Sequence, residues 1–150
     1  MALSLLTMLL GMGCGYSVGR VPPVVSAVDL RPVWVAEAEA SLGPALERAL
    51  GVALARRVSL GSGPAVLARV TSFEEGPSVA GGSGWRVALS ITVDLEGVGC
   101  VREDGVRASS GGGHGQVAPG RASAVEELCQ SLAESAVARL LAGEASQPCL

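Results

Sequence analysis

The chain has 150 residues, of which 49 % are hydrophobic and 3 % aromatic, and its net charge is −3. This length and apolar content suffice for one domain whose core is built from Val, Leu and Ala rather than large rings. The sequence lacks the basic excess that binds nucleic acid or anionic lipid headgroups. All 11 basic side chains are Arg, which excludes lysine Schiff-base catalysis and the phosphate loop ending in Gly-Lys-Ser/Thr.

The N-terminal segment 1–13 is typical of a signal peptide. Its apolar run, Leu3–Leu10, is far shorter than the roughly 20 residues that span a bilayer, and it suits the hydrophobic region of an export signal. Small residues at Gly11 and Gly13 precede Cys14, which is the order of a bacterial lipobox. We expect a lipid on Cys14 and a lipidated tether over 14–23. The alternative is a buried Cys14 thiol in an N-terminal helix.

The next segments predict a strand and a helix. Val24–Val35 is rich in β-branched residues and predicts a first strand that ends near Pro32. Ser41–Arg57 predicts a helix, with Ser41 as its cap and Pro44 in its first turn. The apolar stripe of this helix repeats every four residues: Leu42, Leu46, Leu50 and Leu54.

The middle of the chain predicts three further strands. Ala65–Glu75 is the second strand candidate, and Trp85–Glu96 alternates strictly between apolar and polar residues. That period of two indicates a strand with one buried and one wetted face in an antiparallel sheet. Asp104-Gly105 is typical of a hairpin turn, so the returning strand is expected within Val106–Val117.

Arg121–Ala142 predicts the second helix. Ser123 and Glu126 have capping-box spacing, and Gly143 stands where a left-handed cap is expected. The order β-α-β-β-β-α predicts an α+β fold, a two-layer sandwich with two helices on one face of a mixed four-stranded sheet. The first two strands should be parallel. We expect one domain over 24–143 and a flexible tail over 144–150.

The run Gly13-Cys14-Gly15-Tyr16, followed by the Val-rich strand Val24–Val28, resembles the LPS-assembly lipoprotein family, LptE. The helix Ala45–Arg57, the strand segment Ala65–Ser72 and the closing helix support this resemblance at the level of pattern. The family implies a lipid-anchored protein on the periplasmic face of the outer membrane. It implies a partner, the β-barrel LptD, whose lumen the lipoprotein plugs, and a role in lipopolysaccharide transport. The family fold has two helices against a four-stranded sheet.

Three cysteines remain if Cys14 carries lipid: Cys100, Cys129 and Cys149. In an oxidising compartment, one disulfide and one free thiol is the simplest arrangement, and the sequence leaves the pairing open. The absence of C-x-x-C spacing argues against redox catalysis and zinc, so we expect no metal and no cofactor. His114 is the single His and lies in a Gly-rich stretch that offers no rigid catalytic frame.

These patterns favour a binding protein rather than an enzyme. Trp34, beyond Pro32, is a candidate partner contact, whereas Trp85 belongs to the alternating apolar set and is expected in the core. The leading hypothesis is an outer-membrane lipoprotein that binds an LptD-type barrel, with direct contact to lipopolysaccharide left open. The alternative is a periplasmic lipid-anchored module that binds peptidoglycan or an envelope enzyme. A small hydrolase built around His114 is the third hypothesis, and it has no catalytic cluster in its favour.

Overall fold

The computed structural model of the protein describes residues 24–36, 39–77, 84–109, 120–146 and 149. Over these ranges the chain forms strands and helices in the predicted order, β-α-β-β-β-α, which confirms the α+β class. The elements are β1 (Ala27–Leu30), α1 (Leu42–Ala55), β2 (Ser59–Pro77), β3 (Trp85–Leu95), β4 (Gly99–Ser109) and α2 (Arg121–Leu141). Neither helix combines the length and hydropathy that crossing a bilayer requires.

The strands form one mixed sheet in the order β1-β2-β3-β4. β1 and β2 are parallel, as predicted, and the other two pairs are antiparallel. The partner of β1 jumps from Leu60 to Ala65 between successive residues, so part of β2 bulges out of register. Gly63 lies in that bulge, where a Cβ atom would stand 2.2 Å from the Ala27 carbonyl oxygen, so only glycine fits against β1.

Both helices share one hydrophobic core with one face of the sheet, which we call the covered face. β3 supplies alternate residues to it, and every one of them is almost fully buried: Val87, Leu89, Ile91, Val93 and Leu95. The helices add their own leucine stripes, Leu46, Leu50 and Leu54 from α1 and Leu128, Leu132 and Leu140 from α2. The two amphipathic patterns therefore meet as the sequence predicts.

The predicted hairpin at Asp104-Gly105 is wrong. The turn between β3 and β4 lies at residues 96–98, where Gly97 takes a φ of 78° and the Val98 amide donates to the Leu95 carbonyl at 3.0 Å. β4 therefore contains Asp104 and Gly105, and the segment 110–119 lies outside the described residues. Gly105 serves packing instead, since a Cβ atom there would stand 2.7 Å from Leu128 Cδ1 of α2.

The ends of α2 confirm one predicted cap and correct the other. The helix begins at Arg121 with Gly120 as the capping residue, so Ser123 is already helical and the Ser123–Glu126 capping box does not form. An ion pair from Arg121 to Glu75 of β2 holds this earlier start against the sheet. At the other end, Gly143 has a φ of 76° and the Glu144 amide donates to the Arg139 carbonyl at 3.0 Å, which is a Schellman ending.

Two smaller expectations also change. Ser41 occupies the capping position of α1, but its side chain makes no capping hydrogen bond. Trp85 is 37 % exposed rather than buried in the core. It stands at the last rung of the sheet, opposite Pro77 on one side and Ser109 on the other. The alternation placed Trp85 on the covered face, but it did not tell how far along β3 the helices cover that face.

Candidate functional site

The face of the sheet opposite the helices carries the candidate site, and we call it the open face. Its side chains alternate with the buried ones along β2, β3 and β4, as the register of the strands requires. Its members are mixed in character: Leu67, Arg69, Glu74, Arg86, Ala88, Ser90, Thr92, Asp94, Arg102, Asp104, Val106 and Ala108. Its exposed side chains include the apolar Leu67 and Val106 as well as the acidic Asp94.

Trp34 lies on the open face at the β1 side of the sheet. It pairs with Arg69 in an isolated parallel bridge, and the Arg69 guanidinium stands 5.1 Å from the centre of the indole ring. At that distance the cation is attracted by the face of the ring. Trp34 is nevertheless 57 % exposed, and Leu67, two residues before Arg69, is 53 % exposed. We call these three residues the Trp34 patch.

The backbone holds the Trp34 patch in place. The Trp34 amide donates to the Ala68 carbonyl at 2.9 Å, and the Val70 amide donates to the Trp34 carbonyl at 3.0 Å. Arg31, just upstream, donates its amide to the Val66 carbonyl at 3.0 Å. Residues 31–34 therefore continue along β2 after β1 ends, and they present the indole from a fixed platform. A backbone that is already ordered loses little conformational entropy when a partner covers the residue it carries.

The centre of the open face is polar and charged. The Asp104 carboxylate accepts a hydrogen bond from the Ser90 side chain, which is the main cause that lowers the pKa of Asp104. Arg102, whose Nε stands 3.5 Å from Asp104 Oδ1, lowers this pKa further, whereas slight burial opposes the shift. A carboxyl group with a lowered pKa is ionised at neutral pH. It therefore suits polar contacts rather than proton transfer.

A shallow depression of about 170 Å³ lies at the far end of β2 and β3. Its lining is Glu74, Glu75, Gly76, Pro77, Arg86 and Ala88. Within the described ranges no three His, Cys, Asp or Glu side chains gather closely enough to hold a metal ion. The depression holds no nucleophile with an adjacent base among these lining residues, so it offers no arrangement for covalent catalysis.

The three cysteines of the domain separate into a pair and a single thiol. Cys100 and Cys149 form a disulfide with their Cα atoms 5.6 Å apart, and this is the pairing that the sequence left open. Cys129 is free and buried in α2. Burial raises the pKa of the Cys129 thiol to about 11, and the nearby Glu126 carboxylate adds to the shift. Such a thiol stays protonated and unreactive at neutral pH.

The structure brings together only part of what the sequence singles out. Cys14 and His114 lie outside the described residues. Trp34 is exposed at the surface, and its companions Arg69 and Leu67 were not anticipated. The alternation of Leu67 and Arg69 with the buried Val66, Ala68 and Val70 carried that information. Only the pairing of residues 31–34 with β2 places Trp34 beside Arg69, and no local pattern reports that pairing.

Comparison with known proteins finds likeness in structure rather than in sequence. No protein family matches the chain by sequence. No curated protein matches it either. A minor lipoprotein from Acinetobacter baumannii superposes with a TM-score of 0.56 at 15 % identity, over 82 % of this chain and 96 % of that one. A Xanthomonas campestris protein of the DUF330 family superposes with a TM-score of 0.53 at 14 % identity, over 82 % and 88 % of the two chains. The domain therefore has a fold that is found in a bacterial lipoprotein.

Proposed function

We propose that this protein is a lipid-anchored lipoprotein of the bacterial envelope that acts by binding rather than by catalysis. The fold shared with an Acinetobacter lipoprotein supports this class. The lipobox order Gly13-Cys14 supports the anchor, with the lipid on the Cys14 sulfur. The anchor would hold the domain at the periplasmic face of the outer membrane, with residues 14–23 as the tether between lipid and fold.

The partner that we propose is an outer-membrane β-barrel of the LptD type, which the protein would plug to assist lipopolysaccharide transport. The observation that carries this proposal is the Trp34 patch, since an exposed Trp beside Arg on a rigid strand platform has the composition of an interface hot spot. The resemblance of the N-terminal run to the LptE family is the reason for proposing an LptD-type barrel as the partner.

The patch suits a barrel wall for a further reason. Trp34 and Leu67 contribute apolar area, while the Arg69 guanidinium over the indole ring is a hydrogen-bond donor. The lumen of a barrel is lined by polar side chains that alternate with the lipid-facing set. A surface that combines an aromatic centre with a cationic rim therefore suits a polar barrel wall. A purely apolar surface on this protein would suit it less well.

Co-purification from detergent-solubilised outer membrane tests the binding. Trp34→Ala should reduce the recovered barrel at least about 30-fold, because truncating a hot-spot Trp costs about 2 kcal/mol or more. Val106→Ala is the matched control, since Val106 is an apolar open-face residue of similar exposure, 52 %, on the opposite edge strand. Recovery of peptidoglycan fragments or a soluble enzyme in place of a barrel would favour the alternative binding module.

Two measurements address the anchor and the pathway separately. Mass spectrometry of the mature N-terminus should find a diacylglyceryl group on Cys14, and Cys14→Ala should release the protein from the membrane fraction. An intact Met1 would remove the anchor from the proposal. Depletion of the protein should lower the lipopolysaccharide that reaches the cell surface, whereas unchanged surface lipopolysaccharide would contradict the LptD-type role.

A further inference from the structure

β4 is the last strand of the sheet, and one of its edges faces away from β3. At Cys100 the backbone groups on this outer edge bond to Ser146: the Cys100 amide donates to the Ser146 carbonyl at 3.0 Å, and the Ser146 amide donates back at 2.9 Å. The register with β3 is continuous from Gly99 to Ser109, so every second residue directs its backbone outward as Cys100 does. The next outward-directed residues are Arg102, Asp104, Val106 and Ala108.

Most of this outer edge is open. The Arg102 carbonyl accepts a hydrogen bond from Arg139 Nη1 at 3.4 Å. Within the described part of the chain, the outward amides and carbonyls of Asp104, Val106 and Ala108 have no partner. Unpaired amides and carbonyls at the edge of a sheet are the groups to which a further strand adds. We call the segment 102–108 the β4 edge.

The charges beside the β4 edge are unbalanced. Arg139 Nη1 stands 2.5 Å from Glu103 Oε1, and Arg139 Nε stands 3.3 Å from Glu144 Oε2. One cation therefore serves two carboxylates, which leaves this cluster with one negative charge in excess. Arg107, on the same strand as Glu103, is exposed and makes no ion pair with a described residue. The β4 edge thus presents both an excess negative charge and an unpaired positive one.

Glu103 and Arg107 lie symmetrically on either side of Gly105. Both side chains lie on the covered-face side of β4, since their partners in β3 are Ile91 and Val87. A second copy of the chain can add its β4 antiparallel to this one, with the two Gly105 residues opposite each other. Glu103 of each copy then lies opposite Arg107 of the other, and opposite charges in such positions stabilise a strand pair. The two-fold symmetry makes the contact twice.

The neighbouring registers lack this match. With the two-fold axis at Asp104, the two Asp104 carboxylates would lie opposite each other, and like charges in that position are destabilising. With the axis at Val106, Arg107 would lie opposite Gly105 and Glu103 opposite Ser109, so neither charge would gain a partner. Charge therefore selects the register that is centred on Gly105.

Helix α2 would enlarge the contact. A Cβ atom on Gly105 would stand 2.7 Å from Leu128 Cδ1 and 3.0 Å from Leu132 Cδ2, and the Ser135 hydroxyl donates to Glu103 Oε2 at 2.9 Å. These contacts show that α2 lies over β4. Paired strands are about 4.8 Å apart and packed helices about 8–10 Å, so the α2 helices of two copies joined at β4 would lie side by side.

We propose that the β4 edge binds a second copy of this chain, and that the two copies form a two-fold dimer with a continuous sheet of four strands from each. The Trp34 patch lies at the other side of the sheet, so both patches of the dimer stay accessible. The dimer goes beyond the proposed barrel binding and does not depend on it, nor on a lipid at Cys14.

Sedimentation equilibrium tests the dimer on the full-length chain with Cys14→Ser, which prevents lipid attachment. At about 0.1 mM, a concentration that suits a small and weak interface, the protein should have twice the mass of one chain. Val106→Pro removes a central outward amide and should raise the dissociation constant at least about 10-fold, whereas Val106→Ala keeps that amide and should retain the dimer. A monomer at this concentration, or an unchanged dimer in Val106→Pro, would overturn the proposal.

The charge match gives a test that leaves the backbone intact. Arg107→Glu places a carboxylate opposite Glu103 of the second copy and should raise the dissociation constant about 10-fold. Arg86→Glu is the matched control, because Arg86 is an exposed Arg on β3, away from the β4 edge. It makes the same change in net charge and should leave the dissociation constant unchanged. Equal weakening by both variants would overturn the proposed dimer.

Cysteine cross-linking tests the register. In the proposed dimer Asp104 of one copy and Val106 of the other form a hydrogen-bonded pair, whose Cα atoms lie about 5.5 Å apart and within reach of a disulfide. A mixture of Asp104→Cys and Val106→Cys proteins should form a covalent dimer on mild oxidation, and neither variant should do so alone. A covalent dimer of Val106→Cys alone, or none from the mixture, would overturn the proposal.

Discussion

The two faces of the sheet are built from the same strands and yet obey different rules. On the covered face every β3 side chain from Val87 to Leu95 is 2 % exposed or less. On the open face the intervening residues are half-buried or exposed and polar, and apolar groups appear at isolated positions such as Leu67 and Val106. Burial on the covered face stabilises the fold. Residues on the open face can serve in binding, because substitutions on the open face do not disturb the core.

The largest expected effect contrasts neighbouring residues of β3. Ile91→Ala should lower the free energy of unfolding by about 2–5 kcal/mol, since Ile91 is fully buried and its truncation leaves a cavity in the shared core. Thr92→Ala, on the open face, should change it by less than about 1 kcal/mol. Urea denaturation followed by circular dichroism measures both values. Similar losses for the two variants would show that the open face is buried in solution.

Two strand glycines offer the next test. Gly105→Ala should destabilise the protein by about 1–3 kcal/mol, because its Cβ atom would stand 2.7 Å from Leu128 Cδ1 and 3.0 Å from Leu132 Cδ2. Gly76→Ala, on the open face with no atom within 4 Å, should be neutral or stabilise by up to about 0.5 kcal/mol. Thermal unfolding would rank them, and an equal melting temperature would place α2 farther from β4.

Two ion pairs give a smaller contrast. Arg139→Gln should lower the free energy of unfolding more than Arg102→Gln does, because Arg139 Nη1 lies 2.5 Å from Glu103 Oε1 and the Glu103 side chain is only 13 % exposed. The Glu103 carboxylate would keep only the Ser135 hydroxyl at 2.9 Å. Arg102→Gln removes an open-face pair with Asp104, in which both side chains are 62 % exposed, and should cost under about 0.5 kcal/mol. Urea denaturation measures the loss of stability in both variants. An equal loss in the Arg102 and Arg139 variants would contradict the expected difference.

The smallest effect is a titration on the open face. The folded-state pKa of Asp104 is lowered, first by the hydrogen bond from Ser90, so its contribution to stability is present above the ordinary pKa and is lost as pH falls through the lowered one. Ser90→Ala should raise the pKa of Asp104 toward its ordinary value. NMR titration of the Asp104 carboxyl carbon measures this shift, and Ser131→Ala on α2 is a control that should leave it unchanged.

Much of the architecture could be predicted from the sequence. The strict alternation in Trp85–Glu96 and the four-residue leucine spacing from Leu42 to Leu54 both arise because each element is buried on one side. The spacing of the apolar residues therefore indicates which side of each element faces the other layer. Asp104-Gly105 misled because glycine after aspartate is typical of a turn, while here the missing Cβ makes room for Leu128. A local signal cannot distinguish backbone freedom from close packing.

The candidate site was less accessible to prediction. Trp34 stands out in sequence as a Trp beyond a proline, but its cationic companion comes from a residue 35 positions later along the chain, Arg69 against Trp34. The same holds for the disulfide, since its two cysteines are separated by 49 residues. Pairings of this kind depend on where the strands lie side by side, and that arrangement is set by the whole fold.

The sequence by itself determined the class of the domain, the order of its elements and the lipobox at Cys14, because each follows from local periodicity or a short motif. The tertiary structure decided which sheet face stayed open, which cysteines met and where the turn before β4 fell. Those choices rest on contacts between distant segments, whose energies depend on packing geometry rather than on the identity of neighbouring residues.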